Sequence, residues 1–281
     1  MMRELIQGSN KFFIGRLGSV ESQILSRYLG DPAPLARAPL RNDLRLRKEG
    51  WINAGIWPPS KSHFQTFSTV YESSLLQATG MAVWNNISAI PNEQQLLQKY
   101  CAETLRFPID ILDISELYDD ITDAWTQSLA GKRVLVISSF GKLIYTQYEK
   151  ITVLHSQLIL PKFELNVLTP PRTNGLKISF STWEKEFELL KFKIQKTIYD
   201  FSPDIALVSA GAYGMPACAY LYQNGVSSIY VGGALQLYFG VWGTRWRTNS
   251  RVKKLSTEHW VEPPKKIKPT GSFLIENSAY W

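Results

Sequence analysis

Arg16, Glu21 and three glycine-bearing turns are the residues of this chain whose types and spacing could do chemistry. FIGRLGSVE (13–21) brings an arginine and a carboxylate together around Leu-Gly-Ser. DIALVSAGAYG (204–214) and SSIYVGG (227–233) each run from an apolar segment into paired or near-paired glycines. A strand that ends on such a turn and opens a helix presents amide donors and a helix dipole to a phosphate. The same turn also serves plain strand-to-helix packing, and the spacing at Gly211–Gly214 leaves both readings open. Glu21 is equally divided. In a first helical turn it complements the dipole, whereas at the edge of a first strand it could hold a metal or a sugar hydroxyl. VGGALQLYFGVWGTRW (231–246) then adds bare backbone, Gln236, Arg245 and a run of aromatics.

Other chemistries find no support. The three histidines (His63, His155, His259) and two cysteines (Cys101, Cys218) are scattered without ligand spacing. His155 reads as part of a helix, and Asp119, Asp120 and Asp123 read as helix-capping, solvated carboxylates. A hydrolase would need a nucleophile and a base, and neither can be nominated. The Gly211 turn lacks the full GxGxxG pattern, and no acid ends the 227–231 strand where a ribose would bind. Both absences count against a dehydrogenase or methyltransferase.

The chain has 281 residues, 44% hydrophobic and 20% charged, which describes an ordinary globular protein with a sizeable core. No apolar run approaches the roughly 18–20 residues that span a bilayer, and the N-terminal stretch carries no signal-peptide pattern. A cytoplasmic location is the expectation, peripheral at the inner membrane face if the basic C-terminal stretch touches anionic lipid. The formal net charge is +7. Much of the excess lies in Arg245, Arg247, Arg251, Lys253, Lys254, Lys265, Lys266 and Lys268, against Glu258 and Glu262. Such a stripe suits nucleic acid, an acidic membrane or a phosphorylated small molecule. No nucleic-acid motif accompanies it, so nucleic acid is set aside.

The elements that must position these residues read most clearly in the second half. KRVLVISSF (132–140), FELNVL (163–168), DIALVSAG (204–211) and SSIYVGG (227–233) are strands of the fully buried, parallel kind. Helix-compatible segments lie between them: 141–157, 183–201 and 215–225. In the second of these, Trp183, Phe187, Leu190, Ile194, Ile198 and Phe201 follow steps of 4, 3, 4, 4 and 3. Residues 11–30 read as strand, turn and a helix capped by Ser19. Residues 31–60 read as loop, and 61–130 as mostly helical. The pattern predicts one α/β domain over 1–281, a Rossmann-like, mainly parallel sheet flanked by helices, with a helix-rich N-terminal half. Ligands of such sheets sit at the carboxyl ends of strands, where Ser138-Ser139, Gly211–Gly214 and Gly232-Gly233 fall.

An ordered series of segments resembles the GT-D-type glycosyltransferases of bacterial glycan and surface-polysaccharide synthesis. FIGRLGSVE (13–21) is similar to that family's N-terminal turn, and INAGIWP (52–58) to a short Asn-x-Gly element. LAGKRVLVISSFGKLIYTQYEK (129–150) and ILPKFEL (159–165) resemble its central strand and helix. Residues 204–246 resemble its longest shared block and IENSAYW (275–281) its terminus. The resemblance implies a GT-D-like fold and transfer of a sugar from a nucleotide-sugar donor to a glycan, lipid-linked or protein-linked acceptor. It places the donor edge mostly in 132–246 plus the 13–21 turn.

The resemblance also implies an Asp-x-Glu motif working with a divalent metal, Mn2+ or Mg2+. Its Glu falls on Glu21, but its Asp position holds Ser19, a poor ligand for a hard cation. Metal use is therefore in doubt. Carried onto this chain, the expected catalytic residues are Glu21 and Arg16, with Glu21 also the candidate metal ligand. The expected donor contacts are Gly18, Ser19, Asn53, Ser139, Gly211, Tyr213, Gly214, Gly232, Gly233, Gln236 and Arg245. Tyr238, Trp242 and Trp246 are offered as pocket or lid aromatics, while Leu235, Leu237 and Phe239 read as core. A non-catalytic nucleotide- or glycan-binding protein of the same fold is the alternative.

Overall fold

Apolar, largely β-branched runs such as RVLVIS and IALVS have no polar face to offer solvent, so they fold where both faces are covered. The computed structural model describes residues 1–30, 40–84, 90, 92–117, 121, 124–175 and 181–281. Its seven strands form one sheet in the order β3-β2-β1-β7-β6-β4-β5, with every neighbouring pair parallel. They are β1 (Phe13–Arg16), β2 (Gly80–Val83), β3 (Leu105–Pro108), β4 (Arg133–Ser138), β5 (Glu164–Leu168), β6 (Ile205–Ser209) and β7 (Ser227–Tyr230). From β1 the chain steps outward through β2 and β3, and the later strands fill the other side and return to β7. The two halves meet at β1 and β7, the kind of reversal where α/β sheets bind ligands.

Helices cover both faces. One layer holds α2 (Ser19–Leu29), α4 (Lys61–Gln77), α5 (Glu93–Tyr100), α7 (Trp183–Phe201) and α8 (Gly214–Gln223). The other holds α1 (Met2–Gln7), α6 (Gly141–Tyr148) and α10 (Ser250–Leu255), together with the short α9 (Leu235–Tyr238). Strand residues divide between the layers by alternation. Phe13, Leu135, Ile137 and Val208 face the first core, and Ile14, Val134, Val136 and Leu207 the second. Gly15 on β1 lets α8 lie close, since a Cβ there would sit 2.6 Å from the Met215 sulfur. Truncating a fully buried core leucine such as Leu135 would cost about 2–5 kcal/mol.

The α/β expectation is met, with local corrections. The first half is not simply helical: β2 and β3 lie within 61–130. Each is four residues long, and GMAV and LRFP have little strand character outside the parallel pairing that holds them. Part of the expected loop at 31–60 is α3 (Leu40–Glu49), continued by a π-helical turn, Gly50–Ala54. Its basic residues are good helix formers, and Asp43 inside it is buried against Arg27 and Arg47 at 3.2 and 3.1 Å. Gly18, not Ser19, caps α2. The 141–157 helix stops at Tyr148, leaving His155 beyond it in an isolated antiparallel bridge to Ser256. There its Nε2 lies 2.9 Å from the Tyr238 carbonyl, and burial lowers its pKa to about 4. Asp119, Asp120 and Asp123 lie outside the described residues. Among the described residues, no helix is long and apolar enough to cross a membrane.

Candidate functional site

The carboxyl ends of β1, β7, β6 and β4, together with the segment after β5 and the C-terminal segment, enclose a cavity of about 310 Å³. That is at the lower end of the range for small-molecule sites.

β1 delivers Arg16. Its guanidinium carbon lies between the rings of Trp84 and Tyr230, 5.7 and 5.8 Å from their centroids, and Nη1 donates to the Val231 carbonyl at 3.3 Å. Nε of Arg16 is buried with no partner. The chain then turns through Gly18 into α2, and the Glu21 carboxylate folds back over that glycine. A Cβ on Gly18 would stand 2.2 Å from Glu21 Oε2. Burial raises the Glu21 pKa above its ordinary 4.5 and is the largest influence. Its own backbone N–H and Arg16 oppose the rise, and Glu276 adds to it.

At the end of β7 the glycines serve the protein's own side chains. Gly232, at φ +74°, has Arg16 Nη1 2.4 Å from where a Cβ would be, and Gly233 has the Tyr280 ring at 2.2 Å. After β6, Gly211 takes φ +52° and touches the π-helical turn: a Cβ there would lie 3.0 Å from the Ala54 carbonyl oxygen. This contact brings Asn53 to the cavity, with its Oδ1 buried and unpartnered. Tyr213 stacks on Trp183 at 5.6 Å, and its hydroxyl lies 2.9 Å from Thr173 Oγ1.

Of the residues the sequence nominates, Arg16, Gly18, Ser19, Glu21, Asn53, Ser139, Gly211, Tyr213, Gly232, Gly233, Gln236 and Arg245 all line this one cavity. Gly214 does not; it is a packing glycine whose Cβ would stand 2.1 Å from the Tyr230 ring. Gln236 is only 1% exposed. Its amide nitrogen donates to the Val241 and Tyr280 carbonyls at 3.2 and 3.3 Å, while Oε1 is unpartnered. Arg245 pairs with Glu276, whose Oε2 also accepts from the Tyr280 hydroxyl at 3.1 Å.

The aromatics of the 231–246 stretch are corrected. Tyr238 is a fully buried core residue whose hydroxyl donates to the Leu112 carbonyl at 3.2 Å. Trp246 is buried, and Trp242 packs on Trp260 at 4.7 Å. None of the three lines the cavity. Among the described residues its aromatic walls are Trp84, Phe140, Tyr213, Tyr230, Tyr280 and Trp281, of which only Tyr213 was singled out from sequence.

Arg172 was also missed. It follows β5 in PPRTN, donates to the Ile267 carbonyl at 2.6 Å and the Ser139 carbonyl at 3.4 Å, and burial lowers its pKa. The signal that could have found it is positional: a cation just past the carboxyl end of a predicted parallel strand.

The residues present do not fit a hard divalent cation. Among the described residues the cavity has two side-chain carboxyl groups, and Glu276 is committed to Arg245 and Tyr280. Ser19 Oγ receives the Gln23 amide at 3.4 Å, so it is not a free ligand beside Glu21. Among the described residues, no three His, Cys, Asp or Glu side chains cluster as a metal group.

No protein-family model matches the chain, and no curated protein does. Three solved structures resemble it, each at 12% identity. One, reported as a highly conserved domain of unknown function 1792 with a distinct glycosyltransferase fold, covers 95% of this chain and 90% of its own, at TM-score 0.46. A selenomethionine structure of the same domain covers 83% and 76% at 0.45. The third, a new glycosyltransferase (DUF1792) from Streptococcus sanguinis, covers 79% and 75% at 0.41. At such identity and TM-scores, neither activity nor ligand carries across to this chain.

Proposed function

We propose that this protein is a glycosyltransferase that moves a sugar from a nucleotide-sugar donor to a glycan, lipid-linked or protein-linked acceptor. The observation that carries the reading is the meeting of Arg16, Glu21 and the Gly211 and Gly232-Gly233 turns in one cavity, at the junction of the two halves of a parallel sheet.

Each part has a job in that reaction. An acceptor hydroxyl oxygen attacks the anomeric carbon, the bond from that carbon to the diphosphate breaks, and the electron pair leaves with the phosphate oxygen. Negative charge therefore grows on the diphosphate. Arg16, held in place by two rings and a carbonyl, is a preorganised cation for it. The proton of the acceptor hydroxyl passes to Glu21, whose burial makes it a stronger base than an ordinary carboxylate once ionised. Trp84 and Trp281, less buried than Tyr230, offer surface for a base or a sugar ring.

The basic C-terminal stretch is available to an anionic membrane chiefly through its lysines. Lys253, Lys254, Lys265, Lys266 and Lys268 are exposed, while Arg245, Arg247 and Arg251 pair with Glu276, Glu262 and Glu116. Peripheral membrane contact would bring the site to a lipid-linked acceptor.

The test is calorimetric titration with UDP-, GDP-, dTDP- and CMP-sugars, followed by a turnover assay that detects nucleotide release with an acceptor panel. The reading expects one donor class to bind and to be consumed. Silence across all donors would sink it, and binding without turnover in any acceptor would favour a non-catalytic nucleotide-binding protein.

A further inference from the structure

We infer that Arg172 takes the place of a metal ion in this cavity, so that a nucleoside diphosphate is held by arginine side chains and binds without a divalent cation. The inference rests on the transferase reading for its ligand but on separate observations for its chemistry.

Two charge patterns meet in the cavity. The carboxyl side is too poor for a hard cation, which takes six or more oxygen ligands with several carboxylates among them for Ca2+, and near-octahedral oxygen for Mg2+. Glu276 is consumed by Arg245 and the Tyr280 hydroxyl, and among the described residues no other carboxylate joins Glu21 in a metal-holding group. The cationic side, in contrast, is rich. Arg16, Arg172 and Arg245 all line the cavity.

Arg172 differs from the other two in its partners. Arg245 faces Glu276, and Arg16 lies within electrostatic reach of Glu21. Among the described residues, Arg172 has no carboxylate partner at all. Its two hydrogen bonds go to neutral carbonyls, those of Ile267 and Ser139. A guanidinium carries five donors, so this leaves donors unspent on a partly buried, uncompensated positive charge. The two carbonyls also fix the plane of the fork, joining the segment after β5 to the carboxyl end of β4 and to the 265–268 turn. A planar, oriented guanidinium matches paired phosphate oxygens bidentately, which a point charge does not. A diphosphate bound there would neutralise the cation and do for the departing charge what a metal does elsewhere.

The experiment is calorimetry of the full chain with UDP, GDP, dTDP and inorganic pyrophosphate, once in excess EDTA and once in Mn2+. At least one nucleoside diphosphate should bind in EDTA within about threefold of its affinity in Mn2+. Arg172→Gln should weaken that binding about 10- to 100-fold, and Arg172→Lys by an intermediate factor, because charge remains while the fork is lost. Arg247→Gln, an exposed residue paired with Glu262 away from the cavity, should bind as the parent does. Binding that requires Mn2+ would overturn the inference and leave the transferase reading intact. Unchanged affinity in Arg172→Gln would do the same. Absence of any diphosphate binding in either buffer would overturn both. The metal comparison uses the unaltered protein, so a requirement for Mn2+ overturns the inference even if an Arg172 variant fails to fold.

Discussion

The Arg16 guanidinium lies in the space that a side chain on Gly232 would fill, 2.4 Å from the position of its missing Cβ. Beyond the ends of the paired strands β1 and β7, a charge thus rests on bare backbone. Gly18 under the Glu21 carboxylate and Gly233 under the Tyr280 ring repeat the arrangement. Each of these glycines makes room for a side chain of the cavity itself.

Gly232→Ala should therefore be costly twice over. Its φ of +74° is unfavourable for alanine, and the new methyl collides with Arg16. Denaturant unfolding should show a loss of about 1–3 kcal/mol, and donor affinity should fall with it. A variant as stable as the parent would mean that Arg16 is not held there.

Glu21→Gln should keep donor binding and lose turnover by about 10²–10⁴-fold. Burial raises the Glu21 pKa above 4.5, so the parent's rate should climb with pH to a limb displaced above the ordinary carboxylate range. That limb should vanish in the variant. Equal pH profiles for the two proteins would remove the proton-acceptor role.

Glu93 offers a test through stability. It is buried, accepts the Trp84 backbone N–H at 3.3 Å, and burial raises its pKa from 4.5 to about 7. The folded protein thus keeps a proton that the unfolded chain releases, and stability should decline as pH rises from 4.5 to about 7. Glu93→Gln should remove that part of the decline, gaining about 3 kcal/mol at most relative to the parent near neutral pH. Thermal melts across the range check it, and parallel pH curves for both proteins would contradict it.

Tyr238→Phe separates core from site. Losing the bond to the Leu112 carbonyl should cost about 1–2 kcal/mol in stability. Donor affinity, measured by calorimetry, should not change. A specific loss of affinity would return Tyr238 to the cavity.

The sheet was legible where strands are long enough to be wholly apolar, as in 132–140 and 204–211. It was not at β2 and β3, where GMAV and LRFP hold one β-branched residue between them and depend on their neighbours more than on their own preference. The cavity was largely legible because strand ends announce themselves by glycine and serine, and they converge once the strands are parallel. Chain order could not say which aromatics face inward. Tyr238 and Trp246 lie beside Gln236 and Arg245 in sequence, yet helical geometry turns them into the second core. Arg172 and Glu276 escaped notice because their roles come from contacts more than 30 residues distant, to Ser139 and Arg245.

The most direct measurement is a crystal structure of the protein soaked with a nucleoside diphosphate that binds in calorimetry. The account predicts the diphosphate inside the cavity at the ends of β1 and β7, with its oxygens within hydrogen-bonding distance of Arg16 and Arg172. A nucleotide bound elsewhere on the chain, with this cavity empty at saturating ligand, would contradict it.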